Sequence, residues 1–384
     1  MKFKQQILVL GVWMGLILSG CIKDEICKSL PERTVLVYMA ADNSLSSYSY
    51  TNIADMLEGA EGDNLNDGNL LIYQDAAGEL PRLYQVKKGQ NGVTEKQLVK
   101  TYEESNSASV EVMRSILSEV FENDAYKAKS YGLLLWSHGT AWLPGDAQNY
   151  LRAYGQDKSN WMELNQLRDA LSGYHFDFII FDDCYMANVE VAYALRDKVD
   201  YIVASPTEVM AWGLPYARII KPMFRSGNVE DDMTEISKMF YDFYAQEQPE
   251  YKSATTAVIK IQGIRELASA TRDILYGKED EILAFPTYQV QLMEYLQFPN
   301  HALFDFADFI RLFTDDSDAY QRFQTCLDDV VIYKATTDMA YYNTGWRTID
   351  PDRYCGMTVY IQQPQLANLN DWYKQLDWYK AIFE

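Results

Sequence analysis

Phe178-Ile-Ile-Phe-Asp-Asp-Cys-Tyr-Met186 decides how the chain is read. Its first four residues are apolar, and two acids and a lone cysteine follow at once. An apolar run with polar residues only at its end predicts a strand buried on both faces of a parallel sheet. After Cys184, apolar residues at Met186, Val189, Ala192, Tyr193 and Leu195 recur at helical spacing. Strand, thiol and helix in succession place Cys184 at the carboxyl edge of a sheet, where open α/β folds keep their sites. A helix N-terminus beside the sulfur would favour the thiolate.

Upstream, Tyr131-Gly-Leu-Leu-Leu-Trp136 is a second apolar strand, and it ends in Ser137-His138-Gly139. If the two strands are neighbours, imidazole and thiol face each other across the sheet edge as base and nucleophile. Taken singly, a lone cysteine is more often a small buried hydrophobe, and a strand-end histidine a satisfied turn residue. The two together favour the catalytic reading. Of the other two histidines, His175 reads as a surface or packing residue and His301 as a loop or helix-start residue. Motifs for serine hydrolases, zinc peptidases, P-loops and dinucleotide sites are absent from the sequence.

The N-terminus reads as a targeting segment. Lys2 and Lys4 precede an apolar stretch, Ile7 to Leu18, too short to span a membrane, and Leu18-Ser19-Gly20-Cys21 closes it. This resembles a bacterial lipoprotein signal, in which Cys21 becomes the acylated N-terminus. An ordinary secretory signal with an incidental cysteine is the alternative. The expected product is an exported lipoprotein of a bacterial cell envelope, anchored to the membrane by its N-terminal lipid. Removing residues 1–20 takes the formal charge from −21 to −23. That balance excludes nucleic acid and anionic lipid surfaces as electrostatic partners. The remaining cysteines, Cys27, Cys184, Cys326 and Cys355, are too scattered for a disulfide framework or a zinc site. A single Cys326–Cys355 bridge is left open.

Strands at 34–39, 70–74, 131–136, 178–181 and 201–204 alternate with helices, above all 108–122 and one near 163–172. This predicts an α/β/α sandwich about a mostly parallel sheet. Residues 82–86 and 93–99 read as a hairpin. Beyond 228 the pattern turns helical, at 230–246, 263–276, 302–313 and 316–333, with strand candidates at 254–261 and 355–361. The last is a candidate to return to the main sheet. The expected division is a signal at 1–20, a tether at 21–33, a core at 34–262 and a more helical C-terminal extension at 263–384.

Four segments now carry a family resemblance: Tyr38-Met-Ala-Ala-Asp-Asn-Ser-Leu45, Leu135-Trp-Ser-His-Gly139, Phe181-Asp-Asp-Cys-Tyr-Met186 and Cys355-Gly-Met-Thr-Val-Tyr-Ile361. The chain resembles the clostripain family of cysteine peptidases, within the caspase–legumain–gingipain group. The resemblance implies a caspase-like fold and a Cys184–His138 dyad, with the N–H groups of Gly139 and Cys184 holding the oxyanion. It implies cleavage after arginine or lysine, so the expected partners are peptides or proteins with basic residues. Asp182 matches the acidic position that reads the cation, and Glu208 is a second candidate. A helix N-cap is the competing reading of Asp182. It further implies self-cleavage in the loop after His138, at Arg152-Ala153 or else at Lys158-Ser159. Two departures stand out. Asp183 occupies a position usually small, where an ionised acid would raise the thiol pKa unless it points away. Ser205-Pro-Thr-Glu208 is less acidic than expected. Some relatives depend on calcium, and Asp42, Asp75 and Asp146 are acids suitably placed at strand ends or in a loop. None has EF-hand spacing, so no metal or other cofactor is assigned. The rival reading is an inactive clostripain-like surface binding protein.

Overall fold

β1 (Arg33–Ala41) shows how the sequence builds the sheet. Val35, Val37 and Met39 enter one core, while Leu36, Tyr38 and Ala40 enter another, because side chains alternate along a strand. Both faces are therefore covered. The computed structural model describes residues 30–143, 154–246, 251–295 and 300–384. Cys21 and the Arg152-Ala153 bond lie outside them.

The other strands are β2 (Asn69–Ala76), β3 (Arg82–Lys88), β4 (Thr94–Thr101), β5 (Ser130–Trp136), β6 (Tyr154–Asp157), β7 (Asn160–Met162), β8 (Phe176–Asp182), β9 (Val199–Ala204), β10 (Thr255–Lys260), β11 (Leu303–Asp305), β12 (Val331–Thr336), β13 (Met339–Tyr342), β14 (Gly345–Thr348) and β15 (Thr358–Tyr360). The main sheet has nine strands in the order β12-β10-β9-β8-β5-β1-β2-β3-β4. Its centre, β9-β8-β5-β1-β2, is parallel, and both edges are antiparallel. β1 has β2 on one side and β5 on the other, so the strand order reverses there. Open α/β sheets leave a crevice at such a switch point.

α1 (Ser46–Gly59) packs on one face of the sheet, and α2 (Val110–Phe121), α3 (Leu164–Ala170) and α4 (Val189–Ala194) pack on the other. α5 (Tyr216–Met223) and α6 (Val229–Ala245) join α1, while α7 (Ile264–Leu275) and the later helices join the second layer. The result is an α/β/α sandwich. Pro31–Glu384 forms one compact unit, so the change near 262 marks a shift in element content within it. Among the described residues no helix is long and apolar enough to cross a membrane.

Three expectations are corrected, and one open question is answered. The 302–313 helix begins only at Phe306, because Leu303–Asp305 pairs with β15. The 316–333 helix ends at Val330, and the β-branched run that follows becomes β12, an edge of the main sheet. The returning strand reaches β11 and bridges Asn188 beside Thr358, and it does not join the main sheet. Cys326 and Cys355 are both free thiols.

Candidate active site

β5 and β8 lie side by side, with Trp136 opposite Asp182. The next residues of each strand therefore leave the sheet together, which brings His138 and Cys184 to one cleft of about 310 Å³. Gly139 packs against the turn that carries the thiol. A Cβ there would lie 2.8 Å from both Asp183 Cβ and the Cys184 carbonyl oxygen, so only glycine lets the two turns stack. Among the described residues, no protein acceptor takes the N–H of Gly139 or Cys184.

The expected helix N-terminus is not at the sulfur. α4 starts at Val189 behind its Asn188 cap, and Tyr185 instead turns the chain sharply at φ 66°. A left-handed tyrosine is strained. It is secured by its N–H on the Thr207 carbonyl (2.9 Å) and its hydroxyl on Glu208 (3.0 Å).

The half-buried thiol accepts from the Val209 N–H (3.3 Å) and donates to the Val209 carbonyl (3.8 Å). Burial pushes its pKa up, and Glu208, Asp183 and Asp182 push the same way. His138 is half-buried too, and burial lowers its pKa, so the ring is neutral at neutral pH. Its Nε2 lies 2.9 Å from Ser44 Oγ. Thiol and imidazole thus share the cleft without a hydrogen bond between them.

Asp182 is 5% exposed and caps no helix. Its Oδ2 accepts from the Tyr216 hydroxyl (2.5 Å) and the Leu214 N–H (3.2 Å). Burial nevertheless raises its pKa to about 6. Gly213, at φ 73°, lies over it, and a Cβ there would come within 2.4 Å of Oδ2. Asp183 is 1% exposed, and burial with the neighbouring Asp182 raises its pKa well above the carboxylate range. Glu208 accepts the Asn343 N–H on both oxygens (3.0 and 3.2 Å), which clips the β13–β14 turn to the cleft. Burial raises its pKa as well. Among the described residues no lysine or arginine lines the cleft.

His175 pairs with Asp200, and His301 sits by Glu294 and Tyr295, both away from the cleft. Lys158-Ser159 forms the turn between β6 and β7, with Lys158 paired to Asp42 and Glu104. Among the described residues no group of three or more His, Cys, Asp or Glu side chains is arranged to hold a metal. Sequence reasoning gave no role to Ser44, Val209, Tyr216 or Asn343. Ser44 stood in a quoted segment, whereas Tyr216 and Asn343 carried no local signal.

Residues 37–383 match the model of the clostripain family. The chain belongs to this family. Clostripain of Hathewaya histolytica is 26% identical over 237 residues, which take in 52% of this chain and 44% of that protein. The chain thus spans less than half the length of that curated relative. An inactive zymogen C11 protease from Parabacteroides distasonis is 42% identical at a TM-score of 0.83, over 93% of this chain and 99% of that one. A secreted C11 cysteine protease from Bacteroides thetaiotaomicron, solved with an irreversible peptide inhibitor, is 31% identical at 0.80, over 92% and 99%. The sandwich is the caspase-like fold of these clostripain-family proteases.

Proposed function

We propose that this chain is an exported, lipid-anchored cysteine endopeptidase that cleaves after arginine or lysine. One observation carries the reading: a thiol, an imidazole and three acidic side chains line a single cleft that has no lysine or arginine among its described residues. A cationic side chain would supply the missing charge, with Glu208 the more accessible partner and Asp182 the deeper one.

Cys184 Sγ attacks the scissile carbonyl as its proton passes to His138. The carbonyl oxygen, now negative, is held by the N–H groups of Gly139 and Cys184. His138 then gives the proton to the leaving amine, the C–N bond breaks, and an acyl-enzyme remains. Water attacks it with His138 as base, which releases the new carboxylate and restores the thiol. At rest the two groups are held on Ser44 and Val209, and a bound carbonyl would draw them together, since such bonds tighten only in the complex. Acylation at Cys21 and self-processing at Arg152-Ala153 complete the proposal, with no cofactor assigned and calcium left open.

The test is cleavage of fluorogenic peptides ending in Arg, Lys, Ala or Asp by residues 28–384, beside Cys184→Ala. Turnover of the Arg and Lys peptides, abolished in the variant, is the expected result. Turnover after another residue overturns the pocket assignment alone. The second reading, an inactive surface binding protein, rests on the raised thiol pKa. Absence of turnover with reductant and calcium present would favour it.

A further inference from the structure

The imidazole of His138 is held by Ser44, whose Oγ lies 2.9 Å from Nε2. With Nε2 taken, Nδ1 is the ring nitrogen left for the reacting atoms. Ser44 is exposed, yet its turn is clamped. Asn43 Nδ2 donates to the carbonyls of Ala40 (2.9 Å) and Gln156 (2.8 Å), and Oδ1 accepts from the Leu45 N–H (2.9 Å). The backbone of His138 hangs from the same network. Ser137 Oγ donates to the Ala40 carbonyl (2.7 Å) and accepts from the Gln156 N–H (2.9 Å), and the Gly155 N–H reaches the His138 carbonyl (3.0 Å). One set of bonds at the ends of β1, β5 and β6 thus fixes both members of the contact.

We propose that Ser44 is the positioning residue of the His138–Cys184 pair, holding Nε2 so that Nδ1 serves the thiol and the leaving amine. The proposal rests on the peptidase reading above. For Nδ1 to take the thiol proton, the neutral ring must carry its hydrogen on Nε2, and the Ser44 oxygen accepts that N–H in the neutral ring and in the imidazolium alike. It therefore holds one tautomer and one ring orientation while the proton moves on and off Nδ1 through both halves of the reaction. A carboxylate in its place would bias the ring toward its charged form. Among the described residues the other titratable groups that share the cleft are Cys184, Asp182, Asp183 and Glu208 and the tyrosines Tyr48, Tyr185 and Tyr341.

The experiment compares the full chain with Ser44→Ala, Ser44→Thr, Ser44→Asp and His138→Ala on an arginine peptide. Ser44→Ala should lower kcat about 10- to 100-fold and leave KM within about twofold, because orientation is lost while substrate contacts stay. Ser44→Thr should restore most of kcat. Ser44→Asp should move the His138-dependent limb of the pH profile upward, since a carboxylate favours the imidazolium. Retention of at least about half of kcat in Ser44→Ala overturns the proposal. So does a Ser44→Asp profile whose limb has not moved, which also decides the matter if the alanine variant unfolds early. An active His138→Ala would instead sink the Cys184–His138 dyad, and absence of turnover by the wild-type chain would sink the peptidase reading itself. An inactive His138→Ala beside an unaffected Ser44→Ala sinks only the role of Ser44.

Discussion

At the scale of single residues, Asp182 yields a pH dependence. Burial raises its pKa to about 6, above the ordinary carboxylate value, so it is ionised only at higher pH. Recognition of a cation through it should weaken as pH falls through about 6. KM for an arginine peptide should therefore rise between pH 7.5 and 5.5, while Asp182→Asn should show a higher KM with a flatter profile. A wild-type KM that stays level over this range would remove Asp182 from cation recognition. The sequence displayed Cys184, His138 and Asp182 because each stands where an apolar run stops. It could not display the Tyr216 hydroxyl on Asp182, since that bond crosses from β8 to a helix the sequence pattern never announced. Nor could it show that Asp183 is buried, because that depends on how the Gly139 turn stacks on it.

At the scale of elements, the buried strands were the most legible feature, since a short apolar run that stops at polar residues fits a strand inside a sheet and little else. Three kinds of element were not. α5 follows Pro215 and contains Pro222, which disguise it as a loop. The end of the Ser317–Val330 helix merges into β12 without a breaker, so its apolar periodicity runs past the true helix. β11 and β15 are three-residue strands held by long-range pairing with each other and with bridges to Leu292 and Asn188. That small sheet is tied to the site through Asn188. The Asn188 side chain caps α4 at the Val191 N–H (3.1 Å) and donates to Thr358 Oγ1 (3.2 Å). Asn188→Ala removes a cap and leaves buried partners unpaired, and should cost about 1–3 kcal/mol. Urea unfolding measures this, and an unchanged midpoint would show that the link carries no stability.

At the scale of the molecule, burial raises the pKa of four acids together: Asp75 and Glu190 to about 7, Asp182 and Asp305 to about 6. Each binds its proton more tightly folded than unfolded. Their contribution to stability is thus complete below about pH 4 and lost as pH rises through 6 to 7. Shedding part of the formal −21 charge on acidification works in the same direction. The thermal midpoint should be several degrees higher at pH 5.5 than at pH 8 by scanning calorimetry, and the reverse order would refute this linkage. The α/β/α plan was readable from strand and helix alternation. The dependence of the cleft on the C-terminal region was not, because a hairpin wall is a long-range contact.

That wall has a consequence in time. The turn between β13 and β14 closes on Glu208 through Asn343, and Tyr341 lines the same cleft. A ribosome releases Cys184 and His138 long before it releases this hairpin. While the chain is being made, its sulfur and imidazole exist without a finished pocket. The order of manufacture therefore postpones competence until nearly the whole polypeptide has emerged, a latency set by the tempo of biosynthesis.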